Sequence, residues 1–203
     1  MIGTFFLVLT IGLAVGSGTE FAPLAIGSAL MIMVYMGGHI SGAHYNPAVT
    51  LGVMLRGKIE SAEAIKYMAF QVVGALLAAA VSMFLLGGST FAPAVGAGYS
   101  SMQALVAEIL FTFALVLVVL NTATADTTAG NSYFGLAIGF TVMVGAFAAG
   151  GISGGAFNPA VGLGSIIVDA MMGEGSFGEV WIYLVGPFAG GALAATVFKI
   201  QNS

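Results

Sequence analysis

Apolar residues along this chain gather into long runs divided by short polar or glycine-rich breaks. Full runs lie near Ile2–Ser17, Ala22–Gly38, Ser61–Leu86, Met102–Thr122, Ser132–Gly150 and Phe177–Ile200. Between them stand Ser17-Gly18, Gly87-Gly88-Ser89, the stretch Asp126 to Asn131, and Gly173 to Gly175, residue types that end helices and form turns. A helix needs roughly 20 apolar residues to cross hydrocarbon, and the runs approach that length. Two apolar segments are left over, Asn46–Leu55 and Asn158–Val168. Each is about half the length a crossing needs, yet too apolar for a water-exposed loop. Backbone at membrane depth must bond internally or line a wet cavity. Two half-length helices entering from opposite faces and meeting near the midplane satisfy both demands. The pattern predicts an all-α membrane protein of six transmembrane helices and two half-helices.

The first run is the shortest. It has no basic residue before it, and Glu20 follows in place of a small-residue cleavage site, so it reads as a spanning helix and not a secretory leader. Either the natural chain begins earlier or this helix extends through Ser17 to Glu20.

Composition agrees. Of 203 residues only 6% are charged and 59% are apolar, against about 25% charged in soluble domains. The chain cannot cover an aqueous surface, and the lipid bilayer is its expected surroundings. There is no cysteine, so disulfides and thiolate metal sites are excluded. Two histidines without a carboxylate cluster give no metal site, and no cofactor motif is present. No basic patch points to nucleic acid. In a six-span topology Arg56, Lys58, Lys66 and Lys199 all fall on one side, which becomes the cytoplasmic side. Asp126 shares that side, whereas Glu20, Asp169, Glu174 and Glu179 fall on the other.

The chain also repeats itself. Leu24-Ala25-Ile26-Gly27 matches Leu136-Ala137-Ile138-Gly139, and with the same offset Ile40-Ser41-Gly42 and Asn46-Pro47-Ala48-Val49 match Ile152-Ser153-Gly154 and Asn158-Pro159-Ala160-Val161. Tyr67, Gly74 and Leu77-Ala78-Ala79 correspond to Tyr183, Gly190 and Leu193-Ala194-Ala195. Shared apolar composition explains matching Leu and Ala, but not two Ser-Gly…Asn-Pro-Ala segments in register. The expected organisation is one domain, 1–203, with repeat one near 1–86 and repeat two near 102–203. Three spans per repeat force the second to enter inverted, which puts the site at the midplane between the halves.

One Asn-Pro-Ala is weak evidence, because Asn caps helices and Pro suits the first helical position. Two copies opening half-length helices in an inverted repeat are strong. Each helix start carries about half a positive elementary charge, so two facing starts disfavour cations. The amides of Asn46 and Asn158 can donate to a passing water oxygen. A water accepting both turns its hydrogens outward and takes no proton from its neighbour, while neutral molecules pass.

These residues resemble the aquaporin (major intrinsic protein) family along nearly the whole chain. Gly38-His39-Ile40-Ser41-Gly42-Ala43-His44-Tyr45-Asn46-Pro47-Ala48-Val49-Thr50 is similar to its first signature segment, and Asn158-Pro159-Ala160 opens the second. Tyr67 to Ala79, including Gln71, and Tyr183 to Ala195, including Gly186-Pro187, resemble the third and sixth spans. The resemblance implies a right-handed aquaporin-like bundle, a passive pore for water and small neutral solutes, no enzyme activity, and a homotetramer with one pore per subunit, in a plasma (inner) membrane. It assigns Glu108 to hold the second half-helix loop through backbone amides. The matching glutamate of the first span would fall before Met1.

It also implies an outer constriction at Ile26, Ala146, Gly155 and Val161. Most members carry arginine directly after the second Asn-Pro-Ala; here Val161 stands there, followed by Gly162. Loss of arginine removes a fixed charge and several donors. The expectation is a broad apolar filter passing water and also ammonia, urea or glycerol. His39 and His44 are expected to cap and orient the first half-helix loop, the other reading being a pH sensor. Two further functions stay open at this point: an ion-coupled transporter, for which Glu108 is the one acid in a span, and a non-conducting member of the same fold.

Overall fold

The computed structural model describes residues 1–202. The chain is all helical there: α1 (Ile2–Gly16), α2 (Ala22–Ser41), α3 (Pro47–Leu55), α4 (Ser61–Leu85), α5 (Ser101–Ala123), α6 (Phe134–Ser153), α7 (Pro159–Met172) and α8 (Val180–Gln201). A short 3-10 turn at Asp126–Thr128 lies between α5 and α6.

Five helices, α2, α4, α5, α6 and α8, are long and apolar enough to cross a membrane. At 15 residues α1 is shorter, roughly 22 Å of helix at 1.5 Å per residue. It does not extend to Glu20. The chain turns at Ser17, whose N–H bonds to Leu13 O, and Gly18 takes φ +68°.

Two expected ends move by three residues. α2 and α6 run past Gly38 and Gly150 to Ser41 and Ser153. Each stops at a left-handed glycine, Gly42 (φ 71°) and Gly154 (φ 79°), the residue that takes this conformation without a Cβ clash. At the sequence level Gly38 and Gly150 read as breaks, but one glycine within a helix is tolerated. α7 also outruns its expected end at Val168, reaching Met172. The Asp169 carbonyl there collects the N–H groups of Gly173 and Gly175.

The packing is paired in the way the repeat implies. α1 lies against α4 and α2, as α5 lies against α8 and α6. α7 packs on α4, as α3 packs on α8. Two contacts join equivalent elements: α2 with α6 and α3 with α7. The α2–α6 crossing depends on Gly27 and Gly139. A Cβ on Gly27 would sit 2.7 Å from Gly139 O, and one on Gly139 would sit 2.5 Å from Gly27 O. Bare backbone lets the two helices touch, as small residues do between membrane helices.

Outward, the surface is apolar. Phe70, Phe84, Leu110, Phe147 and Ile200 are among many large exposed hydrophobics, an arrangement suited to lipid and unsuited to water. The chain is an integral membrane protein.

Candidate functional site

α3 and α7 meet tip to tip. Asn46 caps α3 from extended backbone (φ −151°), and its Oδ1 accepts from Ala48 N at 2.8 Å. Asn158 does the same for α7 (φ −155°), with Oδ1 accepting from Ala160 N at 3.0 Å. Pro47 and Pro159 occupy the first helical position, where no N–H is needed.

Each cap also reaches into the opposite half. Asn46 Nδ2 donates to Phe157 O at 2.8 Å, and Asn158 Nδ2 donates to Tyr45 O at 3.1 Å. The acceptors are the residues directly before the opposite asparagine, so the two bonds are reciprocal. Both Tyr45 (φ 49°) and Phe157 (φ 47°) have left-handed backbone, which costs a non-glycine residue about 1–2 kcal/mol. The strain turns their carbonyls toward the partner amide. Each Nδ2 carries two hydrogens; one is committed to this brace and one is left over.

The second loop is held from below by Glu108, which is fully buried on α5. Its Oε1 accepts from Ser153 Oγ at 2.8 Å and from Ala156 N at 3.0 Å, and its Oε2 accepts from Phe157 N at 2.7 Å. Three donors are the partners a carboxylate at this depth demands. Tyr183 adds a bond from its hydroxyl to Ser153 O at 2.7 Å.

The first loop is held differently. Thr50 Oγ1 donates to Asn46 O at 3.1 Å, and receives Gln71 Nε2 at 3.0 Å. His44 Nδ1 lies 3.2 Å from the same oxygen. This contact is a hydrogen bond whose donor is set by the tautomer of the His44 ring. Tyr45 supplies the remaining support: its ring lies against Gly3, and its hydroxyl bonds to Met33 O at 3.1 Å. Sequence reasoning passed over Tyr45, although its place just before Asn46 was a usable signal. His39 departs from expectation. α2 continues past it, so it stands exposed on the last helical turn and makes no side-chain hydrogen bond among the described residues.

A single cavity of ≈ 870 Å³ runs past both asparagines. Lys58, Asp126 and Asn131 line one end, and Pro23, Phe91 and Pro93 the other. Ile26, Ala146, Gly155 and Val161 all border it. A Cβ on Gly155 would sit 3.6 Å from Ala146 Cα, so these two small residues face each other closely. Apart from Asn46 and Asn158, the polar side chains on its wall are His44, Lys58 and residues within 122–131, all toward one end. The side chains toward the other end are apolar.

The sequence model described as "Major intrinsic protein" matches residues 1–198. The chain belongs to the major intrinsic protein family. Among relatives, Aquaporin NIP1-1 of Oryza sativa subsp. japonica is 39% identical over 208 aligned positions, covering 98% of this chain and 71% of that protein. Aquaporin TIP1-2 of Zea mays is 38% identical, covering 93% and 73%. Among solved structures, the aquaglyceroporin from Plasmodium falciparum superposes with a TM-score of 0.84 at 23% identity, over 97% of this chain and 93% of that one. The last likeness is one of fold. This major intrinsic protein therefore shares its bundle with a distant structure and its sequence with plant aquaporins.

Proposed function

We propose that this chain is a passive channel for water and small uncharged solutes, built as one domain from two inverted repeats. The observation that carries the reading is the reciprocal asparagine brace beside one cavity whose lining extends from the α5–α6 connection to the α4–α5 connection. The free Nδ2 hydrogen of each asparagine is aimed at a water oxygen in the lumen. A water held by both keeps its own hydrogens pointing up and down the file, so protons do not relay through it. The two helix starts repel cations at the same level.

Solute choice falls to Ile26, Ala146, Gly155 and Val161. With valine in the arginine position the outer passage offers no fixed charge and no side-chain donor. We read it as a wide apolar filter for water and for ammonia, urea or glycerol. Glu108 is a brace and not a coupling acid, since both its oxygens are occupied by loop donors; an ion-coupled transporter would need that group free. Gln71 and His44 brace the first loop through Thr50. The reading is of a channel and not an enzyme, with subunits assembled as homotetramers in the plasma (inner) membrane. Arg56, Lys58, Lys66 and Lys199 face the cytoplasm, by the positive-inside rule.

Stopped-flow light scattering on proteoliposomes tests the proposal. Vesicles containing the protein should shrink at least several-fold faster than empty ones under an impermeant osmolyte. Equal rates would leave a non-conducting member of the fold.

A further inference from the structure

The inverted repeat gives each position of the outer constriction a mate on the far side of the asparagines. At the offset that aligns the two Asn-Pro-Ala segments, Ile26 pairs with Ile138, Ala146 with Val34, Gly155 with Ala43, and Val161 with Val49. All four mates border the same cavity and belong to one buried apolar cluster. α3 leads from Asn46 back toward Lys58, and α6 starts just after Asn131. The second ring therefore lies between the asparagine pair and the end of the cavity that Lys58 and Asp126 line.

The two rings are not equally wide. Both contain one isoleucine and one valine in matching places. The other two positions differ in the same direction: Val34 carries two carbons more than Ala146, and Ala43 one more than Gly155. Exposure follows the same order, with Val34 and Ala43 only 3% and 6% exposed while Ala146 and Gly155 are half-buried. This bulk cannot swing aside, since valine is stiff at χ1 and alanine has no rotamer. Ala43 also keeps its methyl on left-handed backbone (φ 50°), where its mate is glycine and where glycine is the better fit.

We propose that Val34, Ala43, Val49 and Ile138 form a second size filter, narrower than the outer one, and that this inner ring sets the largest solute the channel passes. The outer four set the polarity of the entrance, and the inner four set the gauge, since the width of an apolar section decides which neutral molecules pass. The inference rests on the channel reading and adds size-determining residues to it.

Water, glycerol and erythritol permeabilities of each reconstituted variant, read by vesicle shrinking and reswelling, test the ring. Val34→Ala combined with Ala43→Gly should raise the glycerol-to-water ratio at least about threefold, and the erythritol-to-water ratio by more. Ala43→Gly alone should give part of that rise together with a higher unfolding temperature, a combination that a loosened fold would not produce. Ala146→Val brings the outer ring closer to the inner one in bulk, so the glycerol-to-water ratio should fall by about twofold, as for two equal resistances in series. An unchanged ratio in the double variant overturns the inner ring as the limit. A fall of about tenfold in Ala146→Val does the same, because the outer ring would then be the narrower. A parent that moves no water overturns the channel reading itself, and is recognised by that first measurement.

Discussion

In the proposed channel, solute choice turns on Val161. It is buried and borders the cavity beside Ile26 and Gly155. Val161→Arg would return a planar cation with five donors to an apolar passage. Glycerol and urea permeability should drop at least tenfold, with water flux falling less, as read by vesicle reswelling for each solute. A variant that passes glycerol as fast as the parent would remove Val161 from the filter. Glu108 makes the complementary case for structure. In Glu108→Gln one carboxylate oxygen becomes an amide nitrogen facing a donor. Leaving a buried donor unpaired costs about 1–3 kcal/mol, so the unfolding free energy in detergent should fall by that much and the unfolding temperature should fall with it. Both residues were legible in the sequence, Glu108 as an acid stranded in an apolar run and Val161 by its place after Asn-Pro-Ala. The left-handed backbone at Ala43, Tyr45 and Phe157 was not, because nothing in those side chains favours it. The tertiary brace imposes it.

At the scale of the element, the two half-helix loops follow one backbone course with unequal residues at three places, and one of these bears on backbone strain. Ala43 (φ 50°) stands where the second loop has Gly155 (φ 65°). Left-handed backbone is unfavourable for alanine and not for glycine. Ala43→Gly should therefore stabilise the protein by up to about 1 kcal/mol, measured as a rise in unfolding temperature. Gly155→Ala should do the reverse and also slow the larger solutes, since its new methyl would approach Ala146. The α2–α6 crossing has less room to adapt. At Gly27 a Cβ meets the Gly139 carbonyl, so Gly27→Leu should abolish assembly, seen as loss of the folded species in gel filtration. Helix existence and type could be read from hydropathy, and caps from Asn-Pro. Helix ends could not. Gly38 and Gly150 looked like terminators, but the true stops are Gly42 and Gly154, set by where each loop must turn toward the midplane. α7 is longer than its apolar run because Asp169 closes it with backbone bonds that no periodicity announces.

For the molecule as a whole, the inverted repeat accounts for both packing and site. The contacts of α1, α2 and α4 in the first half have counterparts in the second, and the two self-paired contacts, α2 with α6 and α3 with α7, bring the halves together at the asparagines. Charge plays little part in this cohesion. The Lys58–Asp126 pair spans 3.8 Å between largely exposed side chains, and exposed pairs of this kind contribute about 0–1 kcal/mol. Asp126→Asn should leave the unfolding temperature nearly unchanged. What the pattern of residues conveyed was the path of the chain and the meeting of two helix tips. What it could not convey was the reciprocity of the amide bonds, which follows from side-chain geometry across more than a hundred residues of sequence.

The central claim is that two braced carboxamides let neutral molecules through and stop protons. Its most direct test is one reconstituted preparation loaded with a pH-sensitive dye, in which osmotic water flux and proton flux are followed together. The account predicts water movement well above that of empty vesicles, with proton entry indistinguishable from theirs. Proton entry rising in step with water flux, or water flux no faster than through bare lipid, would contradict it.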